Sequence, residues 1–195
     1  MLLSKIFYTD CVNRNIPVTK DLVVTKLLTD EAQIGEWNIE GLPTDDHSIQ
    51  NAIMVTRSSK WPLLVDPQGQ GLAWLKKRKY SDEKVQFRIA RLSDSRLRNV
   101  LEECMENGYP LIIENIEEEV DPMLDPVLEK NFLKGAKRKQ IVLSDKSVDY
   151  DDRFQLFLTT KLANPHYSPE LYAKTTVIDF TVTMGGLEQQ LLGYV

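Results

Sequence analysis

From Trp61 onward, short apolar runs alternate with longer stretches whose apolar positions recur every three or four residues, the pattern of a parallel sheet flanked by helices. The runs of strand length are residues 62–65, 85–90, 110–113, 154–158 and 176–182, so five core strands are expected. The clearest helix covers 94–107, where Leu97, Val100, Leu101 and Cys104 share one face and Gly108 stands at a left-handed stop. A second helix is expected from near Gln70 to Lys77. Two further runs, 140–143 and 147–150, are separated by Ser144, Asp145 and Lys146 and predict a small hairpin. A hairpin does not fit a strictly alternating βαβ order, so it is expected to project from the core as an insertion.

Residues 1–57 differ in texture. They hold short helical patterns such as 21–28, a polar break at 38–43, and Ser48 as a cap for a helix running toward Met54. The pattern therefore predicts an N-terminal helical segment (1–57) on an α/β core (58–185), with a further helix starting in 186–195. The fold class expected is a three-layer α/β domain with a central, five-stranded, mainly parallel sheet and an inserted β-hairpin. No internal repeat or low-complexity tract is visible.

Composition narrows the classes. At 195 residues, 42% hydrophobic and 27% charged, the chain has the size and balance of a folded globular domain rather than a disordered or collagen-like one. It carries 24 Lys and Arg against 29 Asp and Glu, a net charge of −5, which argues against nucleic acid as a partner. No apolar run approaches the ~18 residues of a membrane span, and the N-terminal residues turn polar too early for a signal peptide. A soluble, intracellular chain without a membrane partner is expected. Cys11 and Cys104 lack the spacing of a metal site and are read as reduced structural cysteines.

The informative chemistry lies after the first strand. Residues 63–75 read strand, glycine-bearing turn, helix, the context of a phosphate-binding P-loop. Aligned on G-x-x-x-x-G-K-[ST], Gly71 keeps the second glycine. Asp66 replaces the first glycine, Leu72 the lysine and Ala73 the magnesium-binding hydroxyl, with Pro67, Gln68, Gly69 and Gln70 between. Leu72 cannot neutralise phosphate charge and Ala73 cannot hold Mg²⁺. A carboxylate at position 66, ~5 Å from a phosphate charge at an effective dielectric of ~20, opposes binding by about 3 kcal/mol.

A second strand end supports this reading. Leu111-Ile112-Ile113 leads into Glu114, at the metal-side acid position, and Asn115, an amide where a carboxylate would polarise water. Thr159 or Thr160, at the end of the fourth core strand, is the candidate polar sensor. No catalytic residue, metal ligand or bound cofactor is expected.

Three segments carry a resemblance: residues 61–70, Leu111-Ile112-Ile113-Glu114-Asn115, and 157–167 around Thr159-Thr160-Lys161. They resemble the fifth AAA+ module of dynein heavy chains, of axonemal rather than cargo-carrying type, and 37–43 and 186–193 fit as well. The resemblance implies an AAA+ P-loop NTPase fold, the large subdomain of a module that has lost nucleotide binding, with a small helical lid expected beyond Val195. It implies a structural, force-transmitting role in an ATP-driven microtubule motor of cilia or flagella. Partners would be the neighbouring AAA+ modules, the linker and the stalk with its buttress. Microtubules would be reached only through the parent chain, in the cytoskeleton of the axoneme. A neighbour's ATP often receives an arginine finger from such a module, but 168–175 offers only Lys174. The alternatives are a regulatory, nucleotide-binding ATPase with an unusual P-loop and an adaptor domain unrelated to motors.

The remaining features have plainer readings. The basic clusters 76–79 and 137–139 and the acidic run 117–121 read as solvated surface. His47 and His166 have no nucleophile nearby. Trp61 and Trp74 are expected to pack in the core or at an interface.

Overall fold

A computed structural model describes residues 2–18, 24–78, 87–133, 138–182 and 184–192. Helices α1 (Leu2–Asn13), α2 (Val24–Leu28), α3 (Glu31–Ile39) and α4 (Asp46–Arg57) precede strand β1 (Trp61–Val65) and helix α5 (Gln70–Lys77). Then come β2 (Arg88–Arg91), α6 (Leu97–Asn107), β3 (Leu111–Glu114), a 3₁₀ turn (Pro122–Leu124) and α7 (Asp125–Leu128). The chain closes with β4 (Gln140–Leu143), β5 (Lys146–Asp149), β6 (Leu156–Thr160), α8 (Pro169–Lys174), β7 (Thr175–Asp179) and α9 (Met184–Leu192).

The five core strands form one sheet in the order β2-β3-β6-β1-β7, and every pairing in it is parallel. A parallel sheet is covered on both faces, so its strands must be apolar at successive positions. In β1, Trp61, Leu63 and Val65 enter one core and Leu64 enters the other. β3 and β6 divide likewise: Leu111, Ile113, Leu156 and Leu158 lie on the first side, Ile112 and Phe157 on the second. The first core is completed by α6, α7, α8 and the β4–β5 hairpin, the second by α3, α4 and α5 through Trp37, Ala52, Ile53, Trp74 and Leu75. Each large side chain fully buried there contributes about 1.5–3 kcal/mol.

Four local expectations change. The 140–150 hairpin does not project: Ile141, Leu143 and Val148 are buried in the first core, because β4 turns alternate residues inward. Its loop is two residues, with Leu143 opposite Lys146 and Ser144 at φ 56°. The cap of α4 is Asp45, whose carboxylate accepts from the Ser48 N–H at 2.9 Å and from Ser48 Oγ, so Ser48 lies inside the first turn and the helix extends to Arg57. Helix α6 starts at Leu97, three residues later than the apolar spacing suggests. Asp94 instead forms a turn, accepting from the Arg96 N–H through its side chain and the Leu97 N–H through its carbonyl. Gly108 does end that helix at φ 72°.

Residues 85–86 of the second expected strand, 21–23 of the 21–28 helical pattern and 193–195 of the C-terminal segment lie outside the described residues, as do Lys79 and Lys137. Among the described residues no helix is long and apolar enough to cross a membrane.

Candidate functional site

The sheet order brings three strand ends together. β1 lies between β6 and β7, while the chain leaving β1 passes to the far edge of the sheet, a reversal that opens a crevice at the carboxyl ends of the strands. Asp66 continues β1 by donating its N–H to the Thr160 carbonyl at 2.9 Å, and on the other side Phe180 N–H donates to Val65 O at 2.8 Å. The chain then turns: Gly69 N–H donates to Asp66 O at 3.2 Å, and Gly69 adopts φ 76°, a left-handed conformation that glycine takes without steric cost.

Gly71 is required by packing. A Cβ there would lie 2.9 Å from Leu64 Cδ2 and 3.0 Å from the Phe180 ring, so only a glycine lets α5 approach the sheet this closely. Leu72, in the lysine position, is half-buried and packs against the second core, and Ala73 is exposed.

Asp66 does not face an incoming ligand from the rim. It is buried, 2% exposed, and its Oδ2 accepts from the Leu72 N–H at 2.8 Å. Oδ1 is enclosed and has no hydrogen-bond donor. Burial raises the pKa of this carboxyl above its ordinary value, opposed by the N–H groups of Leu72, Gly71, Gln70 and Gly69, which favour the ionised form. The turn that cradles phosphate in a working P-loop is thus directed onto the chain's own carboxylate.

At the end of β3, Glu114 forms an ion pair with Lys76 of α5 at 2.7 Å. Asn115 follows at φ 57°, and its side chain is exposed. Thr160 is paired with Val65, and its Oγ1 accepts from the Leu162 N–H at 3.2 Å; Thr159 is paired with Leu64. Both threonines are buried. The sequence-identified positions Asp66 to Ala73, Glu114, Asn115, Thr159 and Thr160 therefore gather at one end of the sheet. By sequence pattern Lys76 belongs to a solvated basic cluster, 76–79. Its four-residue offset from Leu72 puts it one helical turn further along the same face, the signal that points to it. The turn offers a magnesium nucleotide neither ammonium nor hydroxyl, the Leu72 amide is taken by Asp66 Oδ2, and Glu114 is paired with Lys76.

Other polar candidates have structural partners. Lys174 pairs with Asp125, Glu129 and Glu170 at 2.9, 3.0 and 2.7 Å, which raises its pKa and leaves the ammonium engaged within its own module. His47 Nε2 lies 3.1 Å from the Asp179 carbonyl, which also accepts from Asn51 Nδ2 at 2.6 Å; the His166 N–H donates to Glu118. Arg138 and Lys139 pair with Asp149 and Asp152. Both cysteines are free and buried, and burial pushes the Cys104 thiol up to about 12. Trp74 is enclosed between Trp37 and Phe180, and Trp61 packs edge-on against Phe154 while its Nε1–H donates to Val127 O at 2.8 Å. Neither ring is free to stack on a base. Among the described residues no group of three or more His, Cys, Asp or Glu side chains is placed to hold a metal ion.

Residues 35–195 match the family model described as the ATP-binding dynein motor region. The chain is 57% identical over 193 residues to the dynein gamma chain of the flagellar outer arm of Chlamydomonas reinhardtii, covering 99% of this chain and 4% of that protein. It is 50% identical over 182 residues to dynein axonemal heavy chain 5 of Mus musculus, covering 93% of this chain and 4% of that protein. The ciliary dynein beta chain of Heliocidaris crassispina is 48% identical over 180 residues, 92% of this chain and 4% of that protein. The chain thus spans about 4% of the length of these relatives.

Proposed function

This chain belongs to the ATP-binding dynein motor region family, and from that premise we propose that it is a non-catalytic AAA+ module, the fifth of an axonemal dynein ring. The single observation that carries the non-catalytic reading is Asp66 Oδ2 at 2.8 Å from the Leu72 N–H, a carboxylate seated where phosphate would have to sit. Leu72 and Ala73 add no compensating charge or hydroxyl, and Asn115 offers no base. The adaptor reading, unrelated to motors, is incompatible with the family.

Mechanically the module acts as a rigid body. One parallel sheet joins two cores, so displacement of helices on either face is transmitted through shared strands, and the closed turn leaves no nucleotide-dependent movement of its own. Strain generated by ATP at other modules passes through it toward the stalk, in the service of ciliary or flagellar movement on microtubules. Exposed apolar side chains support contacts with neighbouring modules and the linker: Phe7 on α1, Ile39 on α3, and Leu191 and Leu192 on α9.

Calorimetry with Mg-ATP and Mg-ADP tests the reading. No binding at submillimolar nucleotide is expected. Submillimolar affinity, or phosphate release abolished by Glu114→Gln, would refute it in favour of a regulatory ATPase.

A further inference from the structure

Helix α5 starts with an unmet requirement. Its first N–H groups have no partners within the helix, its N-cap is Gly69 with no side chain to offer, and its first turn contains no acid. The anion comes from outside the helix, from Asp66, the residue that follows the preceding strand. A capping role alone does not account for the burial. Asp66 is 2% exposed, and its second oxygen is enclosed without a donor, so a charged group has been drawn fully inside the turn rather than laid across its rim. The second charge of the site is matched in the same manner, with the Lys76 ammonium at 2.7 Å from Glu114. Negative charge on the amides and positive charge on the acid are both supplied by the polypeptide.

We propose that Asp66 is the resident ligand of this site, its carboxylate taking the place of a phosphate oxygen on the 69–72 amides and holding the turn in a liganded shape, so that removing it uncovers a latent site for a pyrophosphate-class anion. The inference rests on reading the turn as a P-loop relic, and it adds the cause of the silence: occupation from within, beyond the loss of lysine and hydroxyl. It follows that restoring the lost side chains while keeping Asp66 leaves the site closed. Leu72→Lys with Ala73→Thr alone gains little affinity, whereas the same pair combined with Asp66→Gly gains much.

The test uses inorganic pyrophosphate without metal, followed by calorimetry and by the amide resonance of Leu72, on the wild-type chain and on Asp66→Gly, which also restores the first glycine of the motif. The wild type is expected to show no movement of the Leu72 resonance. Asp66→Gly is expected to bind about a hundredfold more tightly, the factor that one or two charge-assisted hydrogen bonds from the freed amides supply. A folded Asp66→Gly with no gain would overturn the inference while leaving the inactive-module reading intact. Submillimolar Mg-ATP binding by the wild type would instead overturn that reading. A measurement on the wild type needs no variant: scalar coupling across the hydrogen bond between the Leu72 nitrogen and the Asp66 side-chain carboxyl carbon is expected, and its absence would also overturn the inference.

Discussion

Gly71 is the one glycine that the site shares with working P-loops, and its substitution separates packing from phosphate binding as the reason it is there. In Gly71→Ala the added methyl meets Leu64 Cδ2 at 2.9 Å, a separation that real Cβ atoms essentially never show, and the Phe180 ring at 3.0 Å, tighter than most real contacts. Leu64 is wholly buried in β1, and Phe180 stacks at 6.3 Å on Trp74, so neither neighbour can retreat into solvent. Overpacking of this kind costs about 1–3 kcal/mol. The helix propensity of alanine returns at most about 1 kcal/mol, and less in a first turn. The net expectation is a loss of about 1–2 kcal/mol, which for a domain of this size lowers Tm by about 2–8 °C. Denaturant unfolding of wild type, Gly71→Ala, Leu64→Ala and the double variant gives the coupling directly. In the Leu64→Ala background the clash with Cδ2 is gone, so the alanine at position 71 should cost at least ~0.5 kcal/mol less than in wild type. Gly71→Ala at wild-type stability, or strict additivity of the two changes, would refute the packing explanation.

Three further outcomes follow from the charges and the core. Lys76→Met strands Glu114, which is only 14% exposed, and should cost about 1 kcal/mol, recovered when Glu114→Gln is added; equal stability of Lys76→Met and wild type in urea unfolding would contradict the pair. Because burial raises the folded-state pKa of Asp66 above its 3.8 reference, the fold binds more protons than the unfolded chain between those two values. The stability of wild type relative to Asp66→Asn is therefore greatest below that window, declines as pH rises through it and is level above; a relative stability that rises with pH would reverse the sign. Cys104, with its thiol pushed up to about 12 by burial, should react with iodoacetamide only as fast as the domain opens, so alkylation of the folded chain at the rate of a free thiol would refute its placement.

The order of strands and helices around the site was legible because it rests on local patterns. Runs such as Leu63-Leu64-Val65 and Leu111-Ile112-Ile113 are apolar at successive positions since each residue meets one of two cores, and α5 lies at 70–77 as its spacing indicates. That Leu72, Ala73 and Asn115 stand at the lysine, hydroxyl and base positions is likewise a property of residue types in a known order. Tertiary structure decided what the remaining charges do. Whether the Asp66 carboxylate repels a ligand from the rim or turns inward onto the Leu72 amide depends on the path of the chain through Gly69. Whether Lys76 is solvated or bound to Glu114 depends on a helix and a strand 38 residues apart in sequence meeting across the sheet. The hairpin's inward side chains and the contact that demands Gly71 belong to the same class. Such contacts are set by long-range packing, which determines where each polar group finds a partner once water has been excluded.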